Sequence, residues 1–246
     1  MTHIKPTIVL VHGAFAESAS WNGVIARLQE HDVTAVAVAN PLRSLAGDAA
    51  YVRDVIASIG GPVVLVGHSY GGLVITDAAA GNDAVVGLVY VSAFVPETGQ
   101  SAFELSTSAP GSTLGDALAA YPVATGGNEF AIRQDVFHDQ FAADVDEDVA
   151  AIMAATQRPV TQAALSEGLA AAEPAWKTIP SWHVFGDQDR NIPLAVLRAG
   201  AERAASHGTR EIAGASHAVP VSNPDVVAQA IAEAGRAWVA TQEHAA

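Results

Sequence analysis

The sequence predicts a doubly wound α/β domain, with a mostly parallel sheet of about six strands and helices on both faces. Three observations carry this. Short apolar runs alternate with helix-period segments along most of the chain. The runs are apolar throughout instead of alternating with polar residues, which implies cover on both faces, as in parallel sheets. At 246 residues and 50% hydrophobic content, the chain can fill one large core.

Each element follows in turn. "TIVLV" (Thr7 to Val11) has the length and composition of a buried strand, and Trp21, Val24, Ile25 and Leu28 then fall on one helical face. "VTAVAVA" (Val33 to Ala39) is the second strand, and a helix with Asp48 as its N-cap places Val52, Val55, Ile56 and Ile59 together. "PVVLVG" and "VVGLVYVSAFV" continue the series, with a helix over Leu73 to Ala80 between them. After a break, "SWHVFG" (Ser181 to Gly186), a helix from Leu194 to Ala205, the short strand "TREIAG" and a last helix from about Pro224 to Thr241 restore the alternation.

The break runs from about Glu97 to Ala175, where no convincing β-run occurs and helix-like stretches lie around Phe130 to Phe141, Val149 to Ala155 and Ala163 to Ala172. The expected organisation is therefore a core of residues 1–96 and 176–246, with a helical lid, residues 97–175, inserted in it. No internal repeat or low-complexity linker is present.

Composition narrows the function. Twelve basic residues against 26 acidic ones give a formal charge of -14, which repels phosphate backbones and anionic lipid surfaces, so neither nucleic acid nor membrane is expected as a partner. The chain has no cysteine, which removes disulfides and thiolate metal sites. The start, "MTHIKPTIVLVHG", lacks the apolar length of a signal peptide, and no apolar run approaches the roughly 18 to 20 residues of a spanning helix. A cytoplasmic protein is expected, and its oligomeric state is not legible.

Within this architecture "VVLVGHSYGG" (Val63 to Gly72) places Ser69 between a parallel strand and a helix, at the carboxyl end of the sheet, where open α/β sheets bind ligands. Gly67-His68-Ser69-Tyr70-Gly71 matches the G-x-S-x-G nucleophile elbow, in which glycines leave room for a strained serine with an exposed hydroxyl. A serine hydroxyl needs a histidine base oriented by a carboxylate. The loops after the last two strands supply them: "EIAGASHAVP" contains His217, and "HVFGDQDRNIP" contains Asp187 and Asp189. Asp189, farther into the turn, is the better placed to reach across, while Asp187 suits a turn carboxylate that accepts nearby backbone N–H groups. His68, adjacent to Ser69, is assigned to packing, and His12 to a buried side chain that holds its turn.

"LVHGAFAESASW", "LVGHSYGG", "YVSAFVPE", "DRNIP" and "GASHAVPVSNP" together resemble the α/β-hydrolase superfamily, and the first and third are most similar to its branch of plant methylesterases and hydroxynitrile lyases. The resemblance spans roughly Ile8 to Pro96 and Ser181 to Trp238. It implies Asp189 as the catalytic acid and an oxyanion hole at the backbone N–H groups of Ala14 and Tyr70. The lyases of that branch carry a lysine after the catalytic histidine and a threonine at the position of Gly13; here Ala218 follows His217. The expectation is a serine hydrolase of the carboxylesterase type, cleaving a small, apolar or aromatic carboxylic ester through an acyl-enzyme. The alternatives are a lyase-like or other non-hydrolytic reaction at the same triad, or a hydrolase fold kept only for ligand binding. No cofactor or metal is implied.

Phe15, Tyr70 and Phe94 flank the expected substrate site from the sheet, and Phe103, Leu105, Leu118 and Tyr121 are candidate contributors from the lid. Between Glu97 and Ala175, twelve acidic residues face only Arg133 and Arg158, a balance that disfavours anionic substrates.

Overall fold

The computed structural model describes residues 5–245. Its centre is a six-stranded, wholly parallel sheet of β1 (Thr7–Val11), β2 (Ala35–Val38), β3 (Val63–His68), β4 (Val85–Val91) and two later strands, Ser181–Gly186 and Gly208–Ile212, in the order second, first, third, fourth, then the two late strands. The doubly wound reading is borne out. Because side chains alternate across a strand, β1 sends Val9 and Val11 into one core and Ile8 and Leu10 into the other; Leu65 and Val66 of β3 divide in the same way. One face is covered by α1 (Asn22–Gln29) and the long C-terminal helix Pro224–Ala245, the other by α2 (Leu45–Ile59), α3 (Gly71–Ala79) and the helix Leu194–Arg203.

The start of α2 differs from expectation. Ser44, not Asp48, is the N-cap: its Oγ accepts the Gly47 N–H at 3.1 Å. Asp48 lies in the first turn with its carboxylate turned inward, where it accepts the Arg43 N–H at 3.2 Å and the Tyr70 hydroxyl at 2.9 Å.

The chain between β4 and Ser181 differs more. It contains the short helices α4 (Ala102–Thr107), α5 (Leu114–Ala117), α6 (Phe137–Phe141), α7 (Glu147–Thr156) and α8 (Gln162–Ser166), and also an antiparallel sheet of β5 (Leu118–Pro122), β6 (Asn128–Ile132) and β7 (Val160–Thr161). The expectation of helices alone is corrected: Phe130 lies on a strand, and the helix expected over Ala163 to Ala172 stops at Ser166. A turn at Gly126 and Gly127, with φ of 95° and 77°, joins β5 to β6. The late core strands Ser181–Gly186 and Gly208–Ile212 are therefore β8 and β9; the helix between them is α9, and α10 (Val219–Ser222) precedes the C-terminal α11.

The insertion is clasped to the core by backbone bonds. Phe15 N–H donates to the Arg158 carbonyl at 3.1 Å, Arg158 N–H to the Ala16 carbonyl at 3.4 Å, and Thr161 N–H to the Leu42 carbonyl at 3.1 Å. Among the described residues no helix is long and apolar enough to cross a membrane.

Candidate active site

The site lies at the carboxyl ends of β1, β3, β8 and β9. After β3 the chain turns within two residues, Ser69 and Tyr70, into α3, and Ser69 takes φ +56°, in the left-handed region that a non-glycine residue enters only at a cost. Its neighbours explain why the turn is possible. A Cβ at Gly67 would lie 2.5 Å from the Gly71 carbonyl oxygen, and one at Gly71 would lie 2.5 Å from that of Val11. Both flanking glycines are required by backbone packing, as the motif implies. Gly13 is equally constrained, since a Cβ there would lie 2.6 Å from the Ser69 Cβ.

The loop after β8 brings Asp189 under the loop after β9. His217 Nδ1 meets Asp189 Oδ2 at 2.6 Å, with both side chains buried. Asp189 Oδ1 accepts the backbone N–H groups of Asn191 at 2.8 Å and Ile192 at 2.9 Å, so the carboxylate is fixed from two sides. Asp187 points elsewhere and accepts the Gly214 N–H at 2.7 Å, which ties the two loops together as a turn carboxylate would.

His68 does more than fill space. Its Nε2 donates to the His217 backbone carbonyl at 3.0 Å, and the two rings lie 4.7 Å apart. Phe141, from the insertion, sets its edge against the His217 ring at 4.9 Å and against His68 at 6.0 Å. Burial drives the His68 ring well below the ordinary histidine value, so it stays neutral and able to donate. His12 is buried with its Nδ1 against the Gly13 carbonyl at 2.9 Å, and burial lowers it to about 4. His12 holds its turn as its sequence position implies, whereas His68, assigned to packing from the sequence, also ties the elbow to the loop of His217.

The Ala14 and Tyr70 N–H groups have no hydrogen-bond partner among the described residues. The Tyr70 side chain runs away from the turn to Asp48; burial pushes its phenol well above the usual range and also raises the Asp48 carboxyl.

Ser69, Tyr70, Ala14 and His217 line one cavity of about 430 Å³. Phe15 and Phe94 line it too, as expected from the sheet side. Of the four insertion residues singled out, Phe103 and Leu118 line it; Leu105 is packed in the core, and Tyr121 is on the surface with its hydroxyl on Glu129 at 2.6 Å. Sequence reasoning missed Leu114, Leu165, Asn191 and Ile192, and also the stretch between Ser106 and Asp116 that forms much of the wall. No lysine or arginine is among the lining residues, and Asp116 adds a carboxylate at the edge.

Comparisons with known proteins agree with this fold. The alpha/beta hydrolase nvfD of Aspergillus novofumigatus (strain IBT 16806) is 29% identical over 255 residues, covering 94% of this chain and 97% of that protein. In fold, the chain is similar to polyneuridine aldehyde esterase (TM-score 0.80, 19% identity, 94% of this chain and 99% of the other). A pyrethroid hydrolase from Sphingobium faniae JZ-2 is also similar (TM-score 0.74, 21% identity, 94% and 98%). The family model described as the alpha/beta hydrolase family matches residues 8–230, nearly the whole sheet and the site built on it, and the chain therefore belongs to that family.

Proposed function

We propose that the protein is a serine hydrolase that cleaves small, neutral, largely apolar carboxylic esters through an acyl-enzyme. The observation that carries this is the convergence on one cavity of a strained serine and a histidine whose far nitrogen is held at 2.6 Å by a buried aspartate.

The reaction follows from the positions. The ester carbonyl carbon sits against Ser69 with its oxygen toward the Ala14 and Tyr70 N–H groups, which stabilise the charge of the tetrahedral intermediate. His217 Nε2 takes the hydroxyl proton as the Ser69 Oγ–carbon bond forms, then gives that proton to the alcohol oxygen as the carbon–oxygen bond of the ester breaks. Water enters by the same route: His217 takes its proton, the oxygen attacks the acyl carbon, and the proton returns to Ser69 as the acid leaves. Asp189 holds the imidazole in the tautomer that leaves Nε2 free to accept.

The insertion, taken as residues 97–175, is the lid in this reading, because Phe103, Leu114, Leu118 and Leu165 close the cavity from above and make it apolar. The lyase reading is less well supported. A cation that could stabilise departing cyanide is lacking among the lining residues, Ala218 is buried beside His217, and a threonine at position 13 would collide with Ser69.

The test is turnover of p-nitrophenyl butyrate by the wild type and by Ser69→Ala. A loss of at least about a thousandfold in kcat is expected. Wild-type activity that survives the substitution, or a folded wild type without esterase activity, would overturn the assignment.

A further inference from the structure

Backbone bonds join the loops of Asp189 and His217 near their roots. Asp187 N–H donates to the Ile212 carbonyl at 3.2 Å, and Gln188 N–H to that of Ala215 at 3.0 Å. Farther out, residues 189–192 and 216–218 share no backbone hydrogen bond among the described residues, and the Asp189–His217 bond spans them. Both tips also bond to α6, a helix of the insertion.

On the acid side the grip runs through Gln140, which is buried. Its Nε2 donates to the Arg190 carbonyl at 2.9 Å and to Asn191 Oδ1 at 2.8 Å, and its Oε1 accepts the Thr113 hydroxyl at 2.8 Å. A carbonyl only accepts, so the end of Gln140 that faces Arg190 is the nitrogen, and both of its protons are engaged by the two residues that follow Asp189. One of these, Asn191, gives its backbone N–H to Asp189 Oδ1 at 2.8 Å. In return Arg190 Nη1 donates to the Asp139 carbonyl of α6 at 3.1 Å. On the base side, the Phe141 carbonyl accepts the Ser216 hydroxyl at 3.3 Å, and the Phe141 ring lies 4.9 Å from that of His217. Consecutive residues of one short helix therefore meet the loops of both partners.

We propose that Gln140 is a positioning residue for the triad. It touches no reacting atom and acts through Arg190 and Asn191, setting where the Asp189 carboxylate stands and so how the His217 ring is held. That bond has little tolerance, since the imidazole must keep Nδ1 on the acid while it presents Nε2 to the Ser69 hydroxyl. Without the Gln140 donor the buried Asn191 oxygen loses its partner, and the turn relaxes toward another one, taking Asp189 with it. Thr113 lines the cavity, so the same amide also ties the acid loop to the wall that meets the substrate. The proposal rests on the hydrolase reading and adds to it a residue from the insertion.

The experiment is a double-mutant cycle on p-nitrophenyl butyrate with Gln140→Met, Asp189→Asn and the pair, with folding checked by circular dichroism. Gln140→Met keeps the length of the side chain but cannot donate. Alone it should lower kcat by about tenfold to a hundredfold and change KM by less than about threefold. Beside Asp189→Asn its own effect should shrink to less than about twofold, because the group it positions is already disabled. A kcat for Gln140→Met within about twofold of wild type, or the same loss in both backgrounds, overturns the proposal, since a residue that only supports the fold acts independently of the acid. The second readout needs no turnover. The proton between His217 Nδ1 and Asp189 should give a far-downfield ¹H resonance, assigned by ¹⁵N labelling, that moves upfield or broadens away in Gln140→Met. Gln140→Ala removes the same donor without placing a new side chain between the loops, so the measurement stands if the methionine does not fit. A resonance unchanged in position and width overturns the proposal. If the wild type does not hydrolyse the ester, the hydrolase reading fails, and the resonance still decides the role of Gln140.

Discussion

Asp187 and Asp189 stand two residues apart at the end of β8, yet one accepts from Gly214 and the other from His217. Their roles separate by geometry, so isosteric amides should separate them in kinetics. Asp189→Asn should lower kcat for p-nitrophenyl butyrate by about 10⁴, because the amide favours the wrong histidine tautomer. Asp187→Asn keeps an acceptor for Gly214 and should cost less than about tenfold; equal losses would refute the assignment of the acid. Ser69, Asp189 and His217 were legible because each sits at a fixed offset from a strand end, where local sequence decides position. Gln140 was not, since its part depends on Asn191, 51 residues away in sequence, and on the Arg190 carbonyl, which no pattern of side chains reports. Phe141 on the His217 ring was hidden for the same reason.

The elbow between β3 and α3 stands on two glycines whose neighbours are backbone atoms that cannot move aside. Gly71→Ala should therefore destabilise the fold by about 2 kcal/mol or more, which for a chain of this size lowers Tm by roughly 4 to 8 °C. A thermal melt with Tm unchanged would show that the turn has slack. The core elements were readable because strands buried on both faces leave continuous apolar runs. The insertion misled because Phe130, Phe137 and Phe141 have helical spacing while lying on a strand and a separate short helix. Its sheet is half exposed and alanine-rich, so the strand signal of β-branched residues is weak; the Gly126–Gly127 pair was the one local sign of the hairpin. Asp48 misled as an N-cap because a carboxylate in a first turn suits the helix dipole as well as a cap does.

Across the whole molecule, buried neutral histidines set the response to acid. Burial holds His12 at about 4 and His183 at about 3, and keeps His68 well below 6.5; once unfolded, each takes up a proton near 6.5. Between those values the unfolded chain binds more protons, so stability falls as pH drops through 6.5, by up to about 1.4 kcal/mol per pH unit for each ring. Asp48, raised by burial, works in the opposite sense at lower pH, where the folded state holds the extra proton. Tm should be level from about pH 8 to 7 and fall with increasing slope below 6.5. His183→Phe, which preserves the stack on Tyr90, should flatten part of that slope, and a slope that is unchanged would remove His183 from the account. The clasp at Phe15, Ala16, Leu42, Arg158 and Thr161 also bears on traffic through the site. That side of the insertion cannot swing away without tearing bonds next to Ala14, so it serves as a wall. On the α4 side the same cavity is bounded by Phe103, which is 59% exposed, so that ring meets solvent as well as the cavity.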